Sequence, residues 1–261
     1  MKMIHGGDIY SAQEELGREI LDFSANINPL GLPPAVREAV RSFADGLTRY
    51  PDPLCRRLKS AVAGYEDVHE DMLLFGNGAA DLIFRLAYGL KPKKALILAP
   101  TFAEYELALN QAGCEVRYFD LRAENDFVVG EELLGAITEE LDLLFLCNPN
   151  NPTGQVMERE FLAKVLAKCE SCGVLLALDE CFVDFLDNGE DVSLKKWLFL
   201  SQSLIIFKAF TKIFAMPGIR LGYVLSDNKD LLAKLAAAGQ PWSVSSAAQE
   251  AGVAALTDPQ Y

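Results

Sequence analysis

The pattern that most constrains the fold is an alternation, from about residue 70 onwards, between short apolar runs and longer amphipathic stretches. Short runs of this kind are typical of buried strands, and the periodic stretches between them are typical of helices. Strands are expected at Leu73–Phe75, Ala95–Leu98, Glu115–Phe119, Leu143–Cys147, Val174–Leu178, Leu204–Phe207 and Tyr223–Leu225. Helices are expected between most of them, over Ala79–Gly89, Phe102–Ala112, Glu131–Thr138 and Glu158–Cys172. The alternation predicts an α/β fold, a three-layer α/β/α domain with a mainly parallel, seven-stranded sheet.

The charge and the distribution of apolar residues argue against a nucleic-acid or membrane partner. The chain has 261 residues, 51% of them hydrophobic, and a formal net charge of −13. A basic surface for nucleic acid is therefore not expected. No apolar run reaches the length of a membrane span, and the N-terminus lacks the apolar core of a signal peptide. We predict a cytoplasmic protein with no membrane partner.

The cysteines do not indicate a metal site. Six are present, mostly in apolar contexts, which is typical of reduced thiols in a cytosolic protein. Cys169 and Cys172 form a single CxxC pair, and the chain has only two histidines, His5 and His69. Without a second ligand pair, neither a zinc site nor a redox site is predicted.

Polar and glycine-rich motifs follow the predicted strands, where ligands bind in an open α/β sheet. Gly76–Asp81 opens a helix, so its backbone N–H groups could hold an anion such as phosphate. Phe102, after the second strand, could cover one face of a flat ring. Taken singly, these are also ordinary features: a strand-to-helix turn and a core aromatic.

Two further motifs follow the central strands. Asn148–Gly154 contains two prolines and a glycine, which hold an irregular turn and present asparagine amides at the sheet edge. Asp179 ends a buried strand, where a carboxylate is costly unless it meets a positive partner. A protonated ring nitrogen would be such a partner, although a helix cap or a structural ion pair would also explain the aspartate.

Lys212 and Arg220 complete the set. A lysine amine can form a Schiff base with an aldehyde, and a guanidinium can bind phosphate through paired hydrogen bonds. A single lysine at a strand end is usually just solvated. All five motifs nevertheless share one explanation, pyridoxal 5′-phosphate.

The order of these motifs resembles that of the fold type I pyridoxal-phosphate enzymes over essentially the whole chain. In that family Lys212 would be the Schiff-base lysine, Asp179 would pair with the pyridine nitrogen, and Asn151 would bind the ring 3-hydroxyl. Phe102 would stack on the ring. The resemblance assigns the cofactor phosphate to Gly78, Ala79, Thr211 and Arg220.

The resemblance also implies a homodimer, in which Tyr50 reaches the cofactor phosphate of the partner subunit. It implies a division into residues 1–47, which would form part of a small domain and a substrate-covering arm, and residues 48–261, the large cofactor-binding domain. The family extends beyond Tyr261, so the C-terminal part of the small domain is expected to be missing.

The N-terminus separates two branches of the family. His5–Asp8 and Leu21–Gly31 resemble the threonine-phosphate decarboxylases of cobalamin biosynthesis, which implies a phosphorylated amino acid as substrate, bound with the help of His5 and Asn26. Phe182 stands where the aminotransferases usually carry a hydrogen-bonding tyrosine. An aminotransferase acting on histidinol phosphate remains an alternative, as does a non-catalytic protein with the same fold.

Overall fold

Seven strands in residues 6–257, the part of the chain that the computed structural model describes, form one sheet. They are β1 (Leu73–Gly76), β2 (Lys94–Ala99), β3 (Glu115–Asp120), β4 (Leu143–Cys147), β5 (Leu175–Asp179), β6 (Leu204–Ala209) and β7 (Gly222–Leu225). All seven predicted strands are present, each with its bounds shifted by at most two residues. The prediction of a seven-stranded α/β sheet is confirmed.

The order of the strands is β1-β7-β6-β5-β4-β2-β3. Strands β3, β2, β4, β5 and β6 run parallel to one another, whereas β7 pairs antiparallel with both β6 and β1. Because β1 and β6 each oppose β7, they point the same way. The carboxyl ends of β1, β2, β4, β5 and β6 therefore meet at one edge of the sheet, and β7 begins there.

The helices cover both faces of the sheet. Helices α4 (Ala79–Leu90), α5 (Ala103–Gln111) and α10 (Lys229–Ala238) pack on one face. The other face is covered by α3 (Arg56–Glu66), α7 (Arg159–Cys172) and α11 (Ser246–Ala255). The remaining helices are α1 (Ile9–Leu16), α2 (Pro34–Ser42), α6 (Glu132–Ala136), α8 (Gly189–Val192) and α9 (Phe210–Ile213).

Strand β4 shows why this sequence forms a sheet that is covered by helices on both faces. Its five residues are all buried, and their side chains enter the two hydrophobic clusters in turn. Leu144 and Leu146 belong to the cluster under α3, α7 and α11, while Phe145 and Cys147 belong to the cluster under α4 and α5. Each such burial contributes about 1.5–3 kcal/mol, so a continuous apolar run is stable only between two helical layers.

The N-terminal strip, Leu21–Gly31, is tied to α9, the helix that follows β6. Asn28 donates from Nδ2 to the carbonyl of Ile213 at 2.8 Å, and its backbone N–H donates to the carbonyl of Lys212 at 3.1 Å. Helix α1 buries no residue and is capped by the preceding Asp8, whose carboxylate accepts from the N–H of Ser11. The proposed division at residues 47 and 48 stays a prediction, and His5 lies outside the described residues.

Helices α3 and α10 were not anticipated from the sequence, and neither were the short helices α8 and α9. Both α3 and α10 bury only part of their surface, including the fully buried Leu58, Val62 and Leu235. None of the helices within residues 6–257 is long and apolar enough to cross a membrane.

Candidate active site

A cleft at the carboxyl edge of the sheet collects most of the predicted residues. It is lined by Ala79, Phe102, Asn151, Asp179, Thr211, Lys212 and Arg220. They come from the ends of strands that are neighbours in the sheet, which is where ligands bind in open α/β folds. The cleft lies on the α4 and α5 side, because Asp179 continues the alternation that turns Ala177 toward that face.

Lys212 lies in α9, directly after the buried strand β6. Its side chain is half-buried, and Nζ lies 5.5 Å from the centre of the Phe182 ring. Burial lowers the pKa of Lys212 and the positive charge of Arg220 acts in the same direction, against the opposing effects of Cys181 and Asp179. A lowered pKa increases the fraction of neutral amine, which is the form that attacks an aldehyde.

Asp179 lies at the base of the cleft. The Tyr105 hydroxyl donates to Oδ2 at 2.6 Å, and the backbone N–H of Cys181 donates to Oδ1 at 2.9 Å. Burial raises the pKa of the Asp179 carboxyl, although these hydrogen bonds and the more distant Lys212 oppose the rise. The Tyr105 hydroxyl and the Cys181 N–H are both uncharged donors, so the site favours a cationic ligand group beside this carboxylate.

Gly78 lies against Arg220, which lines the cleft. Gly78 precedes α4 with a φ of +85°, and a Cβ placed on it would overlap the Arg220 guanidinium. The 12-residue helix α4 begins at Ala79, which lines the cleft. A helix N-terminus and a guanidinium in contact with a side-chain-free residue form a natural site for phosphate.

The turn at 148–154 contains three asparagines with different surroundings. Asn148 is buried and exchanges two hydrogen bonds with the backbone of Met157, at 2.7 and 3.1 Å. Asn150 is buried as well, donates to the carbonyl of Pro100 and accepts from the Thr101 hydroxyl. Asn151 is the asparagine of this turn that lines the cleft, and its binding of a ring hydroxyl stays a prediction.

A second cavity adjoins the first. Asn26 and Ile27 of the N-terminal strip line it, and it shares Asn151 and Phe182 with the cleft. Its other walls come from Pro149, Asn150, Pro152, Gly154, Phe185 and Leu186. The predicted substrate residue Asn26 is therefore next to the predicted cofactor residues. Phe182 offers this shared wall no hydrogen-bond donor.

Tyr50 lies apart from the cleft within a single chain. It is 80% exposed, and its ring lies 4.8 Å from that of Trp242. Its role across a subunit interface stays a prediction.

The structure also adds residues that the sequence did not single out. Tyr105, Cys147, Cys181 and Ala209 line the cleft. Tyr105 follows Phe102 by one helical turn, a spacing that could have indicated that both face the same site.

The chain matches a known protein family. A model of the family described as aminotransferase class I and II matches residues 18–261. The chain belongs to this family.

Relatives in the family include both decarboxylases and aminotransferases. Threonine-phosphate decarboxylase of Salmonella typhimurium is 41% identical over 98% of this chain and 71% of its own length. Histidinol-phosphate aminotransferase of Geobacillus is 32% identical over 98% of this chain and 70% of its own length. The crystal structure of a histidinol-phosphate aminotransferase from Clostridium acetobutylicum, 33% identical, superposes with a TM-score of 0.85 over 93% of this chain and 71% of that one.

Pyridoxal 5′-phosphate is the cofactor of the family, and the cleft fits it on three points. Asp179 is a buried carboxylate suited to a protonated ring nitrogen. Gly78 has no side chain, so the Arg220 guanidinium can pack directly against its backbone. A phosphate would lie beside this guanidinium. Lys212 is a half-buried amine whose pKa is lowered, as an aldehyde-binding lysine requires.

Proposed function

We propose that this protein is a pyridoxal-phosphate-dependent decarboxylase of cobalamin biosynthesis. Its substrate would be L-threonine O-3-phosphate, and its products would be carbon dioxide and 1-amino-2-propanol O-2-phosphate. The observation that carries the proposal is the 41% identity with the Salmonella typhimurium decarboxylase, compared with 32% for the Geobacillus aminotransferase over an equal share of the chain. Phe182 supports the same proposal, since it cannot donate the hydrogen bond that a tyrosine would supply there.

The residues of the cleft divide between holding the cofactor and handling protons. When bound, the cofactor draws electrons from the bonds at the Cα atom of an attached amino acid, so the group perpendicular to its ring leaves most easily. Asp179 would stabilise positive charge on the ring nitrogen, and Asn151 would bind the ring hydroxyl. Phe102 would cover the ring. The phosphate would be held by Gly78, Ala79, Thr211 and Arg220.

Lys212 is the group that we assign to proton transfer. Its half-buried Nζ lies in the cleft with a lowered pKa, so it can both release and accept a proton. Decarboxylation requires a proton at the substrate Cα atom, whereas amino transfer requires one at the aldehyde carbon of the cofactor. The two fates therefore differ in where Lys212 delivers its proton and in which bond is perpendicular to the ring.

We further propose that the protein acts as a cytoplasmic homodimer. Tyr50 and Trp242 form an exposed aromatic pair, and a subunit interface would cover them. In that dimer Tyr50 would reach the cofactor phosphate of the partner. The division into residues 1–47 and 48–261 belongs to the same proposal, as does substrate binding by Asn26, which lines the adjoining cavity, and by His5.

The test is product analysis with the purified protein and pyridoxal phosphate. L-threonine O-3-phosphate should yield carbon dioxide and an amine phosphate without 2-oxoglutarate, both measurable by mass spectrometry. Lys212→Ala should abolish the reaction, whereas Lys234→Ala, which changes an exposed lysine of α10, should leave it unchanged.

The outcomes separate the three candidate functions. Glutamate-dependent amino transfer with histidinol phosphate, without release of carbon dioxide, would instead support the aminotransferase that the Geobacillus and Clostridium relatives suggest. Borohydride reduction should link the cofactor to Lys212 in either enzyme. No link at Lys212 would favour a non-catalytic protein.

A further inference from the structure

We propose that Tyr105 is a positioning residue, which keeps Asp179 charged and directed at the ring nitrogen of the cofactor. The inference rests on the cofactor of the proposed function, but not on the substrate. Tyr105 lies at the base of the cleft, and its hydroxyl donates to Oδ2 of Asp179 at 2.6 Å. That distance is typical of a strong hydrogen bond from a hydroxyl to a charged oxygen.

The ring of Tyr105 is fixed by its neighbours. It is fully buried and stacks on Phe145 with 4.0 Å between ring centres and 17° between planes. Its edge meets Phe102 at 5.5 Å and 81°. Contacts on two sides hold the ring in place, and this position puts its hydroxyl oxygen 2.6 Å from Oδ2 of Asp179.

The carboxylate of Asp179 keeps acceptor positions for a ligand. An ionised carboxylate has about four acceptor sites. Tyr105 occupies one on Oδ2, and the backbone N–H of Cys181 occupies one on Oδ1. The two donors hold the group in one rotamer at the base of the cleft, with further acceptor positions for an N–H group of the cofactor.

The charge state of Asp179 depends on few neighbours. Tyr105 faces it from α5, Cys147 from β4, Cys181 from the turn after β5, and Lys212 from α9. Burial raises the pKa of Asp179, and the Tyr105 hydroxyl is among the groups that lower it. The two thiols are neutral because burial raises their pKa values far above the neutral range. Removal of the hydroxyl would thus favour the protonated carboxyl, which cannot pair with a protonated ring nitrogen.

The test is Tyr105→Phe, which removes one oxygen and keeps the stacked ring. Two probes are titrated by absorbance against wild type and variant: pyridoxal phosphate, and its deaza analogue with CH in place of the ring nitrogen. We expect the variant to bind pyridoxal phosphate about 10- to 100-fold more weakly, as for a lost hydrogen bond to a charged group. The analogue should bind equally to both proteins, because it does not use the charge of Asp179.

A pH series gives a second measurement. Binding of pyridoxal phosphate weakens at low pH where Asp179 becomes protonated, and in Tyr105→Phe this loss should begin at a higher pH. The matched control is Tyr88→Phe, since the exposed Tyr88 also donates to a side chain, Oε1 of Gln111 at 3.0 Å, outside the cleft. Equal weakening of both probes, or an unchanged pH profile, would mean that Tyr105 only supports packing and would overturn the proposal.

The outcomes also separate this inference from the proposed function. A wild-type protein that does not bind pyridoxal phosphate would overturn both. A protein that binds the cofactor as expected but releases no carbon dioxide would overturn the substrate assignment alone.

Discussion

The buried ion network around Lys208 gives the sharpest prediction of stability. Lys208 lies on β6, with Nζ 2.9 Å from Oδ1 of Asp184 and 3.4 Å from Oε1 of Glu66. The Lys208 and Glu66 side chains are only 7% and 1% exposed. Burial alone would raise the pKa of Glu66, but Lys208, Tyr223 and Lys195 together lower it below the ordinary value. The lysine therefore balances a carboxylate that stays charged inside the protein.

Lys208→Met removes the charge and keeps most of the aliphatic chain. Breaking a buried pair by removing one partner costs about 3–5 kcal/mol. The lower end applies here, because Nζ of Lys195 remains 3.2 Å from Glu66 and the Asp184 side chain is 25% exposed. We therefore expect the free energy of unfolding to fall by about 3 kcal/mol. This corresponds to a decrease in Tm of about 6–12 °C for a chain of this size.

The assay is urea unfolding followed by circular dichroism near pH 7.5. Lys229→Met is the matched control, because Nζ of Lys229 also contacts two carboxylates, Asp71 at 2.9 Å and Asp227 at 3.3 Å, while its side chain is 44% exposed. Its loss should cost less than about 1 kcal/mol. The double variant Lys208→Met/Glu66→Gln should recover part of the stability, since it leaves a smaller unpaired charge. If both single variants lose the same amount, or the double variant loses the sum, the reasoning is wrong.

Two further predictions concern the site and its neighbourhood. Gly78→Ala should weaken pyridoxal phosphate binding about 10-fold or more in an absorbance titration, because a strained φ of +85° and overlap with Arg220 cost about 1–3 kcal/mol. The control Gly64→Ala changes a helical glycine with open space around it and should leave this binding unchanged. Burial raises the pKa of Glu180 from 4.5 to about 7, so this residue stabilises the fold below pH 4.5 and loses that contribution as the pH rises to 7. Between those values unfolding free energy should fall by up to about 1.4 kcal/mol per pH unit, and Glu180→Gln should flatten the slope; an unchanged slope would contradict the assignment.

Much of the cleft could be predicted because its residues follow strands directly. Parallel strands bring their carboxyl ends to one edge, so Asp179 and Lys212 could be placed together without coordinates. Tyr105 could not be assigned its role in this way, because its contact with Asp179 joins residues 74 apart in sequence through the packing of α5 on β4. The same limit applies to Asn148 and Asn151, whose different roles depend on which amide the turn buries.

Some elements of the fold could likewise be predicted from the sequence, and others could not. Strands with continuous apolar runs, such as β4, were evident from their pattern. Helix α3 was not evident, because it begins with Arg56 and Arg57 and its apolar residues are buried only when it packs against α11 in the folded chain. The antiparallel direction of β7 was not predicted either, since hydrophobic periodicity carries no information on the sense of a buried strand.

The direction of β7 also determines which part of the chain carries Lys212 and Arg220. Because β7 opposes β6, the chain leaves the carboxyl edge after Ala209 and returns to it at Gly222, where these two residues pair. Lys212 and Arg220 both lie in the connection at 210–221 between β6 and β7, whereas Asp179 is placed by pairing within the sheet. We expect a change in the length of this connection to alter the separation of Lys212 from Arg220 without moving Asp179.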